Sequence, residues 1–264
     1  MKDLGKPLSE LLSLKGRRAV VTGSAAGIGE AIACRYAEAG AHLELVDVDY
    51  EGLKRVKERL SNRGSEINIH KADLSQREDR TALWHRLGEP DILVNNAAIY
   101  PFRSFLKVDE RLLRTVMEAN LESVFWMCQE MIRRRLGKGG VIINVGSIEA
   151  ILPFKGDMAH YDVSKAGVIA LTRALAREYG RRGFRINAII PGGIMTPGVK
   201  AKIKEILRLN LGLIKSGIEF RSRIPLGRFG HPDEVARMAL VLACELSSYV
   251  QGALVTVDGG FLSA

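Results

Sequence analysis

Tyr161 and Lys165 form a pair whose residue types and spacing could support acid–base chemistry. They are four positions apart at the start of a helical pattern over residues 161–180, so their side chains stack on one helix face. A free tyrosine has a pKa of about 10, and a neighbouring cation favours the phenolate. Ser147 follows the mostly apolar run 141–146, which predicts a hydroxyl at the C-terminal end of a buried strand. Open α/β sheets bind their ligands at that end.

A glycine-rich turn near the N-terminus predicts a nucleotide site. Residues 22–29 read Thr-Gly-Ser-Ala-Ala-Gly-Ile-Gly and join a predicted strand over 17–22 to a predicted helix that runs to Glu38. Glycines let the backbone approach a pyrophosphate, and a helix N-terminus supplies free N–H groups and a favourable dipole. The residues of this turn that we expect to contact the cofactor are Gly23, Ala26, Gly27, Ile28 and Gly29.

Asp47 ends the second predicted strand, which covers residues 41–47. An acid at this place accepts hydrogen bonds from the ribose hydroxyls of NAD and repels the 2′-phosphate of NADP. Ala26 precedes Gly27, so that position offers no basic side chain to the phosphate. NAD is therefore the predicted cofactor. Asp49 is an alternative selector, and either acid could instead cap the end of the strand.

Strand-like and helix-like segments alternate along the rest of the chain. Further strands are predicted at 66–71, 91–94, 141–146, 184–190 and 253–257, and further helices at 51–62, 75–87, 109–136, 161–180 and 232–244. This alternation predicts an α/β fold, a doubly wound, Rossmann-like parallel sheet in one domain over residues 1–264. We expect residues 1–15 to be a short leader and the charged segment 197–227 to be a substrate-binding lid.

Small or polar residues follow several predicted strands and should meet the cofactor there. Asp73 could hold the adenine amino group or cap the next helix. The strand-end residues assigned to cofactor contacts are Asp73, Leu74, Asn96, Ala97, Pro191, Gly192, Ile194 and Thr196. Asn120 lies within the long predicted helix 109–136, where helix propensity disfavours asparagine, so it requires a packing or a functional reason.

Composition excludes several other classes of protein. The net charge is +9, but the basic residues are scattered and aromatic residues make up 6%, which does not favour nucleic-acid binding. The three cysteines form no C-x-x-C pair and the five histidines have no ligand spacing, so neither a disulfide framework nor a metal site is expected. An apolar segment of membrane-spanning length is absent from the sequence. We expect a cytoplasmic enzyme without a membrane anchor.

From about Arg17 onward, the motifs of this chain and their order along it resemble those of the short-chain dehydrogenase/reductase family. The matching motifs are T-G-x-x-x-G-I-G at 22–29, an acid at Asp47, N-N-A at 95–97, Asn120, Ser147, Y-x-x-x-K at 161–165, P-G at 191–192 and V-D-G-G at 257–260. Two features depart from the family pattern. Ala98 replaces a common glycine, and the spacing between Ser147 and Tyr161 is about one residue longer than the family's.

The resemblance implies a role for each catalytic candidate. Tyr161 would be the general base in oxidation and the acid in reduction, while Lys165 would lower its pKa and hold the nicotinamide ribose. Ser147 would hold the substrate oxygen, and Asn120 would position a water in a proton relay. Tyr161 and Lys165 would therefore also contact the cofactor. The family commonly forms homotetramers, which we also expect here.

Glu149 and His160 flank the catalytic candidates in sequence and are the predicted substrate contacts beside Ser147 and Tyr161. Together with Pro153 they resemble the pattern of glucose and polyol dehydrogenases within the family. Polar walls suit a polyhydroxylated substrate, so a sugar or polyol is the expected secondary alcohol. Alternatively, Glu149 faces solvent and His160 caps the helix. A 3-oxoacyl-(acyl-carrier-protein) reductase and a broad ketone or secondary-alcohol dehydrogenase are the competing activities, and a non-catalytic NAD-binding protein is disfavoured because the full catalytic set is present.

Overall fold

A single parallel sheet organises the protein. The computed structural model describes residues 5–61, 64–199 and 219–263. Within them the strands are β1 (Arg18–Thr22), β2 (His42–Asp47), β3 (Ile67–Lys71), β4 (Ile92–Asn95), β5 (Gly140–Val145), β6 (Phe184–Pro191) and β7 (Leu254–Val257). Their order is β3-β2-β1-β4-β5-β6-β7, and every neighbouring pair is parallel. The order reverses between β1 and β4, as in a doubly wound sheet, so the predicted fold class is confirmed.

Successive strand residues pack on opposite faces of the sheet. On β1, Ala19 and Val21 join one apolar core while Val20 joins the other, and all three side chains are buried. Strands covered on both faces read as continuous apolar runs rather than as alternating patterns. This explains why the strands could be recognised in the sequence.

Helices cover both faces of the sheet. They are α1 (Leu8–Leu11), α2 (Gly27–Glu38), α3 (Tyr50–Leu60), α4 (Arg77–Leu87), α5 (Glu110–Met117), α6 (Ser123–Arg134), α7 (Ala159–Tyr179) and α8 (Pro232–Ala243). Apolar residues of α2, α3 and α8 belong to one core, and those of α4, α6 and α7 to the other. The observed helix ends differ from the predicted ends mostly by one or two residues, as fraying termini do.

The long helix predicted over 109–136 is interrupted. A π-helical turn, Glu118–Glu122, separates α5 from α6 and contains the buried residue Asn120. The amide of Asn120 binds the backbone of Ile99 on one side and the hydroxyl of Ser164 on the other. These partners lie outside the helix, so the π-helical turn is stabilised by tertiary contacts rather than by the helix propensity of its own residues.

Two predicted peripheral segments are only partly described. Within the predicted lid, 197–227, residues 200–218 lie outside the described part of the chain. At its described end, Phe220 and Ile224 pack against Phe261 in a third apolar cluster. Within the predicted leader, 1–15, the side chain of Leu14 is buried in the first core. In the described part of the chain, every helix is too short or too polar to cross a membrane.

Candidate active site

A cavity of about 630 Å³ opens at the C-terminal ends of the strands. The cavity has two parts, which meet where the strand order reverses between β1 and β4. One part lies beside β2 and β3, and the other lies beside β5 and β6. The predicted cofactor residues that line it are Gly23, Ala26, Gly27, Ile28, Asp47, Asp73, Leu74, Asn96, Ala97, Pro191, Gly192, Ile194 and Thr196. Ser147, Glu149, Tyr161 and Lys165 line it as well, whereas Gly29, Asn120 and His160 stand behind its wall.

The glycine turn brings backbone close to the cavity because side chains are excluded there. Gly23 has a φ of +64°, and a Cβ on it would lie 2.8 Å from both Ala97 Cα and Asn96 Nδ2. A Cβ on Gly29 would overlap the Gly23 carbonyl oxygen. Asn96 closes the turn by donating from Nδ2 to Gly23 O at 3.0 Å. Helix α2 then begins at Gly27 without a side-chain cap, so its first N–H groups can receive a phosphate.

Asp47 and Asp49 have different roles at the end of β2. Asp47 accepts backbone hydrogen bonds from Ala25 and Asp49, each at 3.0 Å, and lines the cavity. Asp49 is the N-cap of α3 and accepts from Gly52 N at 2.9 Å. Both acids line the cavity; Asp47 is bonded to the glycine turn through Ala25 N, whereas Asp49 is bonded to the start of α3 through Gly52 N.

Asp73 stabilises a turn rather than a helix end. Its Oδ1 accepts from the backbone N and the hydroxyl of Ser75 at 2.9 and 2.7 Å. The N-cap of α4 is Gln76, so the capping alternative for Asp73 does not apply. Asp73 and Leu74 line the cavity beyond β3, on the same side of the strand reversal as Asp47.

Lys165 is buried beneath the catalytic candidates. Its side chain is 2% exposed, and Nζ donates to Val145 O at 2.8 Å. Nζ also lies 5.9 Å from the centroid of the Tyr161 ring. Burial lowers the pKa of Lys165 to about 8, because a charged ammonium is poorly solvated there. Lys165 can therefore gain and lose a proton near neutral pH.

Tyr161 and Ser147 meet at the cavity wall. Burial raises the pKa of Tyr161 to about 12, and a hydrogen bond with Ser147 offsets part of that rise. The sequence predicted that Lys165 lowers the pKa of Tyr161. In the structure this pKa is instead raised. The reason is that the ammonium faces the ring across 5.9 Å while the phenol is desolvated. A further positive charge beside the hydroxyl is required to activate this phenol.

Asn120 supports the site from behind. Its Oδ1 accepts from Ile99 N at 2.8 Å, and its Nδ2 donates to Ile99 O at 2.8 Å and to Ser164 Oγ at 3.1 Å. Ser164 Oγ donates in turn to Tyr161 O at 2.7 Å. The side chain of Asn120 thus holds the segment after β4 against the second turn of α7.

Glu149 faces the cavity, not the solvent. It is 6% exposed, and its Oε2 accepts from Phe154 N at 2.8 Å and Lys155 N at 3.3 Å. Within the described part of the chain its Oε1 makes no hydrogen bond. One carboxylate oxygen therefore holds the loop after Ser147, and the other is available to a ligand.

His160 differs from both of its predicted roles. It is 3% exposed, its Nε2 donates to Pro101 O at 2.8 Å, and it is not among the residues that line the cavity. The N-cap of α7 is Met158, so His160 does not cap the helix either. Adjacent helical residues point about 100° apart, which turns His160 away from the wall that Tyr161 occupies.

The far side of the cavity is formed largely by residues that the sequence patterns did not indicate, although Phe220 belongs to the described end of the predicted lid 197–227. Tyr100 packs edge-on against Tyr161, with ring centroids 6.4 Å apart. Phe102, Lys155, Met158, Phe220 and Phe229 complete this wall. They lie outside the strands and the long helices, where periodicity gives no signal. The sequence cues are the cluster of aromatic residues that follows β4 and, for Phe220, the predicted lid.

The glycine turn and the Ser147, Tyr161 and Lys165 side chains therefore meet at one cavity, and comparisons with known proteins identify the family. A family model described as enoyl-(acyl carrier protein) reductase matches residues 23–262. The chain belongs to the short-chain dehydrogenase/reductase family, an assignment that confirms the sequence resemblance. It is an oxidoreductase that acts on CH–OH groups.

Individual relatives differ in their activities. The chain is 35% identical over 254 residues to a 3-oxoacyl-(acyl-carrier-protein) reductase of Chlamydia pneumoniae, covering 94% of this chain and 98% of that protein. It is also 35% identical over 253 residues to a galactitol 2-dehydrogenase (L-tagatose-forming) of Cereibacter sphaeroides, covering 94% and 96%. A solved structure from Beutenbergia cavernae, provisionally assigned as an NAD(P)-dependent gluconate 5-dehydrogenase with bound NADP, superposes with a TM-score of 0.88. It is 34% identical and covers 96% of this chain and 100% of that one.

The described residues offer no cluster of His, Cys, Asp and Glu that could hold a metal ion. Cys34, Cys128 and Cys244 are not joined in disulfide bonds.

Proposed function

We propose that this protein transfers a hydride between NAD and the secondary alcohol or carbonyl group of a sugar or polyol. The observation that carries the proposal is the placement of Ser147, Tyr161 and Glu149 in one wall of the cavity, with Lys165 beneath it. Ser147 and Tyr161 supply proton chemistry, and Glu149 supplies a free acceptor for a second hydroxyl.

The residues present fit a dinucleotide. Gly23 and Gly27 have positive φ and line the cavity at the uncapped start of α2, where a pyrophosphate would bind, and Asp47 beside them would bind the ribose hydroxyls. A carboxylate there disfavours a 2′-phosphate, which supports NAD over NADP. Oxidised nicotinamide supplies the hydride acceptor and a positive charge. Lys165 and the strand-end residues 191–196 are proposed to hold it.

The proton-transfer steps of the proposed reaction are assigned to residues of this chain. Ser147 holds the substrate hydroxyl, and Tyr161 removes its proton as the carbon loses a hydride and the C=O bond forms. In reduction, Tyr161 returns the proton. Because the phenol pKa of about 12 is too high for a base near neutrality, it must be lowered once the cationic ring is beside it.

Lys165 and Asn120 are proposed to carry the proton onward. The lowered pKa of Lys165, about 8, is compatible with proton exchange in the physiological range. The side-chain amide of Asn120 is committed to Ile99 and Ser164, so we assign the relay water to the main chain of its π-helical turn.

Glu149 supports a polyhydroxylated substrate. A buried carboxylate with a free oxygen penalises a substrate that leaves it unpaired, whereas a neighbouring hydroxyl satisfies it. The galactitol 2-dehydrogenase relative acts on such a compound by its name. The rival function is 3-oxoacyl-(acyl-carrier-protein) reduction, favoured by the first relative and by the net charge of +9, which suits an acidic carrier.

The deciding experiment measures NADH and NADPH formation with a panel of aldoses, polyols, sugar acids and simple secondary alcohols. Reduction of a 3-oxoacyl thioester is measured in parallel. We expect NAD-linked oxidation of polyhydroxylated substrates, and activity confined to the thioester would establish the rival.

Tyr161→Phe should lower turnover by at least about a thousandfold with NAD affinity near normal, since the variant lacks only the phenolic hydroxyl.

A homotetramer is also proposed. Phe125 and Trp126 on α6 are 43% and 40% exposed, and Val163 on α7 is 59% exposed. Apolar side chains on adjacent helices are typical of interfaces between copies. Light scattering should give a mass near four times 29.0 kDa, and a monomeric mass would refute the proposal.

A further inference from the structure

Lys155 places a positive charge in the substrate side of the cavity. Its Nζ lies 5.9 Å from the centroid of the Phe102 ring and 5.7 Å from that of Phe220. Contact with two aromatic faces keeps an ammonium oriented while leaving its N–H groups unsatisfied by the rings. Across the described residues Lys155 makes no ion pair, so its charge is available to a ligand.

The backbone of Lys155 is fixed relative to the reacting groups. Glu149 Oε2 accepts the N–H of Lys155 at 3.3 Å, and Glu149 itself is two positions from Ser147. The same loop is held on its other side, where Arg103 N donates to Asp157 O at 2.9 Å. The lysine is therefore anchored to the wall that holds the substrate hydroxyl.

The charges along the cavity are arranged unevenly. Asp47, Asp49 and Asp73 line the part beside β2 and β3, whereas Glu149 and Lys155 line the part beyond β5. Of the lysines that line the cavity within the described residues, Lys165 is buried and bonded to Val145 O. Lys155 is thus the cation that a substrate can reach.

We propose that Lys155 binds a carboxylate at the far end of the substrate, so that the preferred substrates are sugar acids rather than neutral polyols. This inference rests on the proposed sugar or polyol oxidation. Glu149 accepts hydroxyl groups and repels a carboxylate, so an acid substrate is oriented with its hydroxyls at Glu149 and its carboxylate at Lys155. The net charge of +9 also favours the approach of an anion.

The test compares kcat/KM for a neutral hexitol and for hexonates of the same configuration, with NAD as acceptor. Lys155→Gln keeps a polar side chain that is one atom shorter and removes the charge, and Lys155→Arg keeps the charge. Lys107→Gln is the matched control, because Lys107 ends an exposed turn and does not line the cavity. Each protein is measured at about 20 and 150 mM salt, since screening weakens steering by charge.

In the parent protein we expect hexonates to be preferred at least about tenfold, with a preference that falls at the higher salt. Lys155→Gln should reduce the acid-to-hexitol ratio about tenfold through KM, and Lys155→Arg and Lys107→Gln should retain it. Equal use of hexitol and hexonate, or an unchanged ratio in Lys155→Gln, would overturn the inference while leaving polyol oxidation intact. Absence of oxidation of every polyhydroxylated compound would instead overturn the proposed function.

Discussion

The amide of Asn120 donates to Ser164 Oγ across 3.1 Å and joins the π-helical turn to the second turn of α7. Ser164 Oγ in turn donates a hydrogen bond to the carbonyl oxygen of Tyr161 at 2.7 Å. Both side chains are fully buried. The backbone of the proposed base is therefore positioned by one hydroxyl that does not line the cavity.

Ser164→Ala should lower turnover about tenfold and leave NAD affinity unchanged. The variant leaves the amide of Asn120 one acceptor short in a buried place, which costs about 1–3 kcal/mol of stability. Ser123→Ala is the control, because the buried hydroxyl of Ser123 donates to Ala119 O at 2.6 Å. Both variants should unfold more easily, as measured by thermal denaturation. Parental turnover in Ser164→Ala would show that the contact is only structural.

Gly29→Ala should weaken both the fold and cofactor binding. The added methyl would overlap the Gly23 carbonyl and lie 2.7 Å from Asn96 Nδ2, so the glycine turn must shift. Gly156→Ala is the comparison, since a Cβ there meets nothing within 4 Å. We expect a fall in melting temperature and at least a tenfold weaker NAD affinity for Gly29→Ala alone, measured by denaturation and by fluorescence titration. Equal behaviour of the two variants would contradict this.

Asp47→Asn should reduce the preference for NAD over NADP by about tenfold or more. The substitution removes the charge that repels a 2′-phosphate and keeps most of the side-chain volume. Asp49→Asn should change stability more than cofactor choice, because Asp49 caps α3. The ratio of kcat/KM values for the two cofactors is the measurement. A larger change in Asp49→Asn would identify Asp49 as the selector.

Lys165→Met should stabilise the protein at pH 7 while abolishing activity. The pKa of Lys165 falls from 10.5 to about 8 on folding, so between these values the unfolded chain binds more protons. The burial of the charged ammonium therefore lowers the stability of the wild-type protein, and this penalty is fully present below pH 8. It shrinks as the pH rises over that interval, so wild-type stability increases with pH there. At pH 7 that penalty is on the order of 3 kcal/mol, offset partly by the lost hydrogen bond to Val145.

Thermal unfolding of Lys165→Met and wild type at pH 7 and pH 9.5 tests this prediction. The difference in melting temperature should be several degrees at pH 7 and smaller at pH 9.5. Tyr161→Phe retains Lys165 and should keep the wild-type trend over this interval. A lower melting temperature for Lys165→Met at pH 7 would mean that the bond to Val145 outweighs the burial of charge.

Much of the fold and of the chemical centre follows from local patterns. Strands such as β1 are apolar on both faces, and the glycine turn must fit between β1 and α2, so both leave clear sequence signals. Ser147, Tyr161 and Lys165 lie at the start or end of regular elements, where spacing determines side-chain direction. The single domain over 1–264 and the lid at 197–227 stay predictions.

The remaining features depend on contacts between distant segments. The π-helical turn at Asn120 involves Ile99 and Ser164, neither of which its own helix contains. Lys155 and Tyr100 lie in irregular segments without periodicity. The raised pKa of Tyr161 follows from desolvation by the complete fold, which the four-residue spacing to Lys165 does not report.

The reversal of strand order has an evolutionary consequence. Side chains on the β2–β3 side of the cavity come from within the first 75 residues, whereas Tyr100, Glu149, Lys155 and Phe220 come from later in the chain. Mutations that alter the choice of cofactor therefore leave the substrate wall untouched, and the reverse also holds. The two preferences can diverge independently within one scaffold, so chimeras exchanged between these stretches should recombine them.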